Sequence, residues 1–499
     1  MVHRLCVGAL GYVLGLTACA GSSDPRGAAC ASDAECGTLR CAADPDATPA
    51  DLAPLMLVCA DEQPGAEPGE GCEEADDCAR GICLLAGTCA RPCGGDADCD
   101  ASERCQAAFA RAGTDALETV SACVARVNLP DDVDVSAETR RHALQAGDNR
   151  VELGPAQAEG STLYVLEHSR DTWPDTTSCR PPLCLRSLRT LDATPALLFD
   201  AAADYVSEDA PQNPVATGDH VNPVEILFPS GARSALSAAG YSAVLATEQP
   251  GDLRITRLAG RRDGGVLDLN VFYVGALDWK PEGNRGPPLL ADALDVVDEI
   301  FGQAGISIGN VRQIAVPGAL PMRGTTFPDG DSKQGFAVLQ VRFGVYAELP
   351  ALFRLSAGAN DSAIDLFFVQ DIQPLVGGEP EAQAGGIPGP LGMHGTAGSG
   401  IAIATDMMEG DPQRLGRTLA HELGHFLGLF HTSEVDGSVY DALSDTPECR
   451  LDRDVAGDGL DVSDCQDAGA DNLMFWARTS GTVLTPQQQA VLRGALVLQ

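Results

Sequence analysis

Eight histidines are spread over 499 residues, and three of them stand in one short run. His421-Glu422-Leu423-Gly424-His425-Phe426-Leu427-Gly428-Leu429-Phe430-His431 reads H-E-x-x-H-x-x-G-x-x-H. On a helix, His421 and His425 lie one turn apart and project from the same face. Two imidazoles so placed can hold one zinc ion, with Glu422 beside them as base for a water at the metal. A catalytic zinc takes three protein ligands and keeps one position open. Gly428 has no Cβ and can adopt the left-handed conformation that ends a helix and turns the chain back. His431 then becomes the third ligand. The competing reading is a buried amphipathic helix that happens to carry histidines. Five fixed positions matched together favour the metal.

The ligands need a helix, and the sequence supplies one over residues 411–427. The elements before it read as an alternation of strands and a helix. Residues 266–274 form a strand rich in β-branched and aromatic side chains. Residues 288–301 form a helix with Leu290, Leu294, Val297 and Phe301 on one face, and Gly305 closes it. Further strands are expected near 311–316, at 363–369 and at 401–405, with a Gly- and Pro-rich loop over 377–400. After His431 the sequence is irregular and acidic. Thr485-Pro486-Gln487-Gln488 reads as a capping box with proline at the first helical position, opening a last helix that carries Val491 and Leu492.

The extended motif resembles that of the metzincin zinc endopeptidases. The resemblance implies an α/β (α+β) zinc protease domain over 264–499, with His421, His425 and His431 on the metal and Glu422 as catalytic base. It also implies a methionine turn beneath the site, and Asn472-Leu473-Met474 fits that role. Further details are similar to the pappalysin-like branch: Thr432 after the third histidine, Ser444-Asp445-Thr446-Pro447, and Leu484-Thr485-Pro486-x-Gln488. That branch often carries a tyrosine two residues after the methionine. Here the place is taken by Trp476, which has an indole N–H but no phenol. The implied chemistry is peptide hydrolysis, with Glu422 taking a proton from the attacking water and passing it to the leaving amine. Cys449 and Cys465 are the only cysteines of this region and are expected to pair. Between them lie Asp452, Asp454, Asp458, Asp461 and Asp464, which the resemblance makes candidates for Ca2+ although their spacing is not that of an EF-hand.

The whole chain is acidic, with 71 acidic against 33 basic residues and a net charge of −38. That balance excludes nucleic acid as a partner, since binding it takes a basic footprint. Arg4 followed by a short apolar stretch and small residues reads as an export signal. Leu16-Thr17-Ala18-Cys19 resembles the lipobox of bacterial lipoproteins, which implies cleavage after residue 18 and a lipid on Cys19. An ordinary cleaved signal is the alternative. No other segment reads as transmembrane, so contact with a membrane runs through the lipid alone. The expected location is the bacterial cell envelope, at the outer membrane, or outside the cell.

With Cys6 lost and Cys19 lipidated, an even number of cysteines remains, and an exported chain forms disulfides. After a tether over 19–29, residues 30–127 carry three four-cysteine units. These are Cys30, Cys36, Cys41 and Cys59; Cys72, Cys78, Cys83 and Cys89; and Cys93, Cys99, Cys105 and Cys123. Four cysteines allow three pairings, and spacing does not choose among them. Residues 128–263 change to short apolar runs between turns, such as Leu163-Tyr164-Val165-Leu166, Val224-Glu225-Ile226-Leu227-Phe228, Tyr241-Ser242-Ala243-Val244-Leu245 and Leu253-Arg254-Ile255. They suggest a β-sandwich, in which Cys179 and Cys184 are close enough in sequence to pair.

The sequence therefore reads as a multidomain chain: disulfide-rich repeats, a β-sandwich, and a metzincin-type protease domain. Its expected function is zinc-dependent endopeptidase acting on extracellular proteins or peptides. The rival is a surface adhesion or binding lipoprotein whose protease domain is incidental or inactive. An intact Glu422 weighs against it. Oligomeric state is left open.

Overall fold

Sheet dominates the protein, and among the described residues its α-helices all lie beyond residue 287. The computed structural model describes residues 25–499 except 45–46, 48–53, 62, 112–116, 131–134, 158, 169–182, 201–214, 217–223, 229–236, 248–249, 275–278, 317–337, 342–348, 375–380, 409, 456–459 and 478–480. The expected signal and lipid site at Cys19, the partner Cys179 and the candidate ligand Asp458 lie outside the described residues.

In the N-terminal region each unit pairs its first cysteine with its third and its second with its fourth. The bonds are Cys30–Cys41 and Cys36–Cys59, Cys72–Cys83 and Cys78–Cys89, Cys93–Cys105 and Cys99–Cys123. Units this small bury little apolar surface, and the crosslinks supply what a core cannot. The third unit also carries a long antiparallel hairpin, Glu103–Arg111 with Leu117–Ala125. Ile82 and Leu84 of the second unit pack with Ala108, Val120 and Val124 of that hairpin.

Two antiparallel sheets follow. One has five strands in the order Val215–Ala216, Val224–Phe228, Ser161–His168, Gly251–Gly260, Val135–Leu144. The other has four, in the order Leu197–Asp200, Cys184–Thr190, Tyr241–Thr247, Gly147–Leu153. Tyr164 and Phe228 of the first meet Tyr241 of the second, the last two rings stacked at 4.4 Å. The opposite face of the five-stranded sheet is also covered: Leu163, Val165, Leu227 and Leu258 share a core with the helices of the C-terminal region. Burial on both faces explains why these strands read as unbroken apolar runs rather than an alternation.

The C-terminal sheet has the order Ile306–Val316, Gly265–Val274, Ile364–Val369, Gly400–Ala404, Ala382–Ala384. The first four strands are parallel and the last is antiparallel. Leu269, Val271, Leu366, Phe368, Ile401 and Ile403 face the helices Pro288–Gly302 and Pro412–Phe426. Phe272, Phe367, Val369 and Ala402 face the short helix Leu349–Phe353 and, through Leu85 and Leu117, the cysteine-rich region. One expectation needs correction. The stretch 377–400 is not loop throughout, because Ala382–Ala384 pairs with the strand Gly400–Ala404. Three residues, Ala-Gln-Ala, carry no β-branched or aromatic signal, and pairing alone makes them a strand. Among the described residues no helix is long and apolar enough to cross a membrane.

Candidate metal centre

The helix Pro412–Phe426 begins with Asp411, whose carboxylate accepts the N–H groups of Gln413 and Arg414. Proline at the first helical position gives up no needed donor. Glu381, at the mouth of the antiparallel edge strand, accepts from Arg414 at 2.7 Å and from Thr418 at 2.9 Å. Strand and helix are thereby held in register on the side that carries the motif. The helix ends at Gly428, whose φ of +110° lies in the left-handed region. A Cβ there would also stand 2.6 Å from Leu227 of the five-stranded sheet. The turn that delivers the third histidine therefore depends on this glycine twice.

His421, His425 and His431 come together. The Nε2 of His431 lies 3.2 Å from that of His421 and 3.1 Å from that of His425. The outward nitrogens are all engaged. His421 Nδ1 donates to the carbonyl of Leu473 at 2.8 Å, and His425 Nδ1 to the carbonyl of Leu429 at 2.7 Å. His431 Nδ1 lies 3.2 Å from both carboxylate oxygens of Glu434. Carbonyl and carboxylate oxygens only accept, so each ring carries its proton on Nδ1. With all three rings neutral, as metal ligands must be, that tautomer would point three lone pairs at one spot, and such lone pairs cannot bond to each other. A cation between them resolves the conflict. Nitrogens ~2.1 Å from zinc at tetrahedral angles stand roughly 3.4 Å apart, close to the spacing seen. The donor set fits zinc, and each ligand has the outer partner that fixes a metal-binding imidazole.

Glu422 is buried beside the triad, and its Oε2 accepts the N–H of Ala384 at 2.8 Å. The edge strand thus holds the carboxylate that would act as base. Beneath the triad, Met474 is fully buried, and a Cβ on Gly424 would stand 2.7 Å from its sulfur. The turn is tied to the motif by backbone as well, through Leu473 as described and through Thr432 N–H to the Met474 carbonyl at 3.0 Å. Asn472 Oδ1 accepts the Met474 N–H at 2.9 Å. Trp476, where the resemblance leads one to expect tyrosine, keeps its indole N–H buried with no acceptor among the described residues.

The remaining motif residues brace this floor. Asp445 accepts from the Thr485 hydroxyl at 2.8 Å and from the Gln487 N–H at 2.9 Å, which fastens the start of the last helix, Pro486–Arg493. Thr446 donates to Asp441 at 2.6 Å, whose carboxyl burial pushes up to about 7. Cys449 and Cys465 form a disulfide packed against Leu460 and Phe475, and the Cys449 N–H donates to Ser433 at 2.8 Å, two residues past His431. Among the described residues, Asp452, Asp454, Asp461 and Asp464 make no cluster of three ligating oxygens. Three contributors escape sequence reasoning: Glu434, Gly424 and Ala384. The first two stand inside or beside the motif but gain their roles from partners elsewhere, and the third acts through backbone alone.

No family model matches the sequence, and no curated protein is similar to it.

Proposed function

We propose that the chain is a zinc-dependent endopeptidase of the metzincin type, with motifs like those of the pappalysin-like branch, acting on extracellular proteins or peptides. The observation that carries this is the convergence of three imidazole lone pairs beside the buried carboxylate of Glu422. Zinc bound there supplies Lewis acidity, polarising a carbonyl and lowering the pKa of water towards neutral. The protein's part is to hold and move one proton. Glu422, fixed by the Ala384 N–H, takes it from the attacking water and returns it to the nitrogen of the leaving amine. His421, His425 and His431 must stay neutral to serve as ligands, so activity fails in acid.

The surrounding fold supports the reading. Parallel strands with one antiparallel edge strand beside the motif helix suit the upper half of such a protease, and the methionine turn with the last helix suits the lower half. Seven disulfides among the described residues suit an oxidising compartment. With them goes export by the signal at 1–18 and, through lipid on Cys19, attachment to the bacterial envelope. The test is cleavage of a peptide library by purified protein, before and after a zinc chelator and again after zinc is restored. Cleavage lost and regained with the metal supports the proposal. Zinc-replete protein that cuts no peptide contradicts it.

A further inference from the structure

A cavity of about 480 Å³ opens where the three parts of the chain meet. Its wall is built from the third cysteine unit, from the five-stranded sheet and from the stretch 395–397 of the C-terminal region. The volume falls in the range of small-molecule sites, roughly 300–1,000 Å³.

The charge around it does not balance. The carboxylate of Asp96 is shared by three guanidiniums: Arg254 in direct contact, Arg141 at 2.9 Å and Arg126 at 3.7 Å. Glu167 is shared by two, Arg104 at 3.3 Å and Arg254 at 3.8 Å. Four guanidiniums therefore lean on two carboxylates. Arg354 and Asp252, one of each sign, also line the cavity. Burial first, and then the neighbouring Arg254 charge, hold the Arg126 guanidinium below its ordinary pKa. Arg254 Nε is buried with no acceptor among the described residues. This positive excess sits in a protein whose net charge is −38.

We propose that the cavity binds a small polyanion carrying two or more carboxylate or phosphate groups. Guanidinium forks match the paired oxygens of either group, and burial strengthens the pairing. Bound there, the anion supplies the missing negative charge and ties the three parts of the chain together. The inference stands independently of the metal centre.

Isothermal titration of the full chain at low salt tests it, with citrate as polycarboxylate probe and pyrophosphate as phosphate probe. Arg254→Gln and Arg141→Gln are the variants, and Arg261→Gln, exposed and paired elsewhere with Glu159, is the control. One saturable site for citrate, pyrophosphate or both is expected. Loss of one guanidinium contact should weaken it about tenfold or more in the first two variants and leave the control unchanged. The arm that binds more tightly tells which oxyanion the cavity takes. If Arg254→Gln does not fold, Arg141→Gln decides alone, since Arg141 is 56% exposed and carries little of the packing. Chelation at the histidine site does not move with Arg141. Absence of saturable binding of both probes, or binding unmoved by these substitutions, overturns the proposal.

Discussion

Asn472 and Gln488 are paired amide to amide: Asn472 Nδ2 donates to Gln488 Oε1 at 2.9 Å, and Gln488 Nε2 donates back to Asn472 Oδ1 at 3.0 Å. Both side chains are buried. Gln488 also accepts the Thr485 N–H at 3.0 Å, so one side chain caps the last helix and braces the methionine turn. That turn in turn presents the Leu473 carbonyl to His421. The position of the His421 ring is therefore set partly from a helix near the C-terminus.

Gln488→Ala should leave Asn472 Nδ2 and the Thr485 N–H without their acceptor, while Asn472 Oδ1 keeps the Met474 N–H. Buried groups so stranded cost ~1–3 kcal/mol each, and a loss of roughly 2–4 kcal/mol in unfolding free energy is expected in urea. The turn loosens with it, so zinc should be surrendered to a competing chelator faster than by the unaltered protein. Unchanged zinc retention together with lowered stability contradicts the link between this helix and the site.

Glu434 holds His431 from the side away from the other two histidines. Its carboxylate is the partner of Nδ1, and outer partners of this kind typically change metal affinity ~10–100-fold when removed. Glu434→Ala should weaken zinc by about that factor, measured by competition with a chromophoric chelator. Glu434→Gln keeps a carbonyl acceptor and should lose less. Equal affinity in all three proteins removes Glu434 from the site.

Local pattern made part of this legible. The triad spacing is a property of one helix and one turn, and it places His421, His425 and His431 together without knowledge of the rest. Asp411 and Thr485 announce the starts of their helices through side chains that cap nearby N–H groups. What escapes is whatever depends on distant chain. Cys41 and Cys59 could each have joined Cys30, and only the assembled unit selects Cys41. The strand Ala382–Ala384 exists because Gly400–Ala404 lies beside it. Leu227 meets Gly428 from another domain, about two hundred residues earlier in sequence. The covered second face of the five-stranded sheet is likewise a tertiary fact that no strand pattern states.

His394 should give the protein a pH-dependent brace away from the metal. Its ring is buried, with Nδ1 2.7 Å from Asp365 and Nε2 2.6 Å from the Asp361 carbonyl. Burial pulls its pKa down, but the Asp365 charge and hydrogen bond, with Asp361, outweigh it and raise it to about 9 from 6.5. A pKa raised by folding means stability that is whole below pH 6.5 and drains away as pH rises through about 9. The urea midpoint should therefore fall between pH 6.5 and 9, and His394→Gln should flatten that fall. Parallel curves for the two proteins contradict the assignment.

The central claim is that Glu422 moves the proton at a zinc held by three histidines. Glu422→Gln keeps the size and the acceptor for the Ala384 N–H but removes the base, and leaves the ligands untouched. The measurement is zinc content and peptide cleavage on the same purified samples of the unaltered protein and this variant. The account predicts one zinc per chain in both, with cleavage in the variant down ~100-fold or more, the usual scale for a lost general base. A variant that cleaves as fast as the unaltered protein, or an unaltered protein that takes up no zinc, contradicts it.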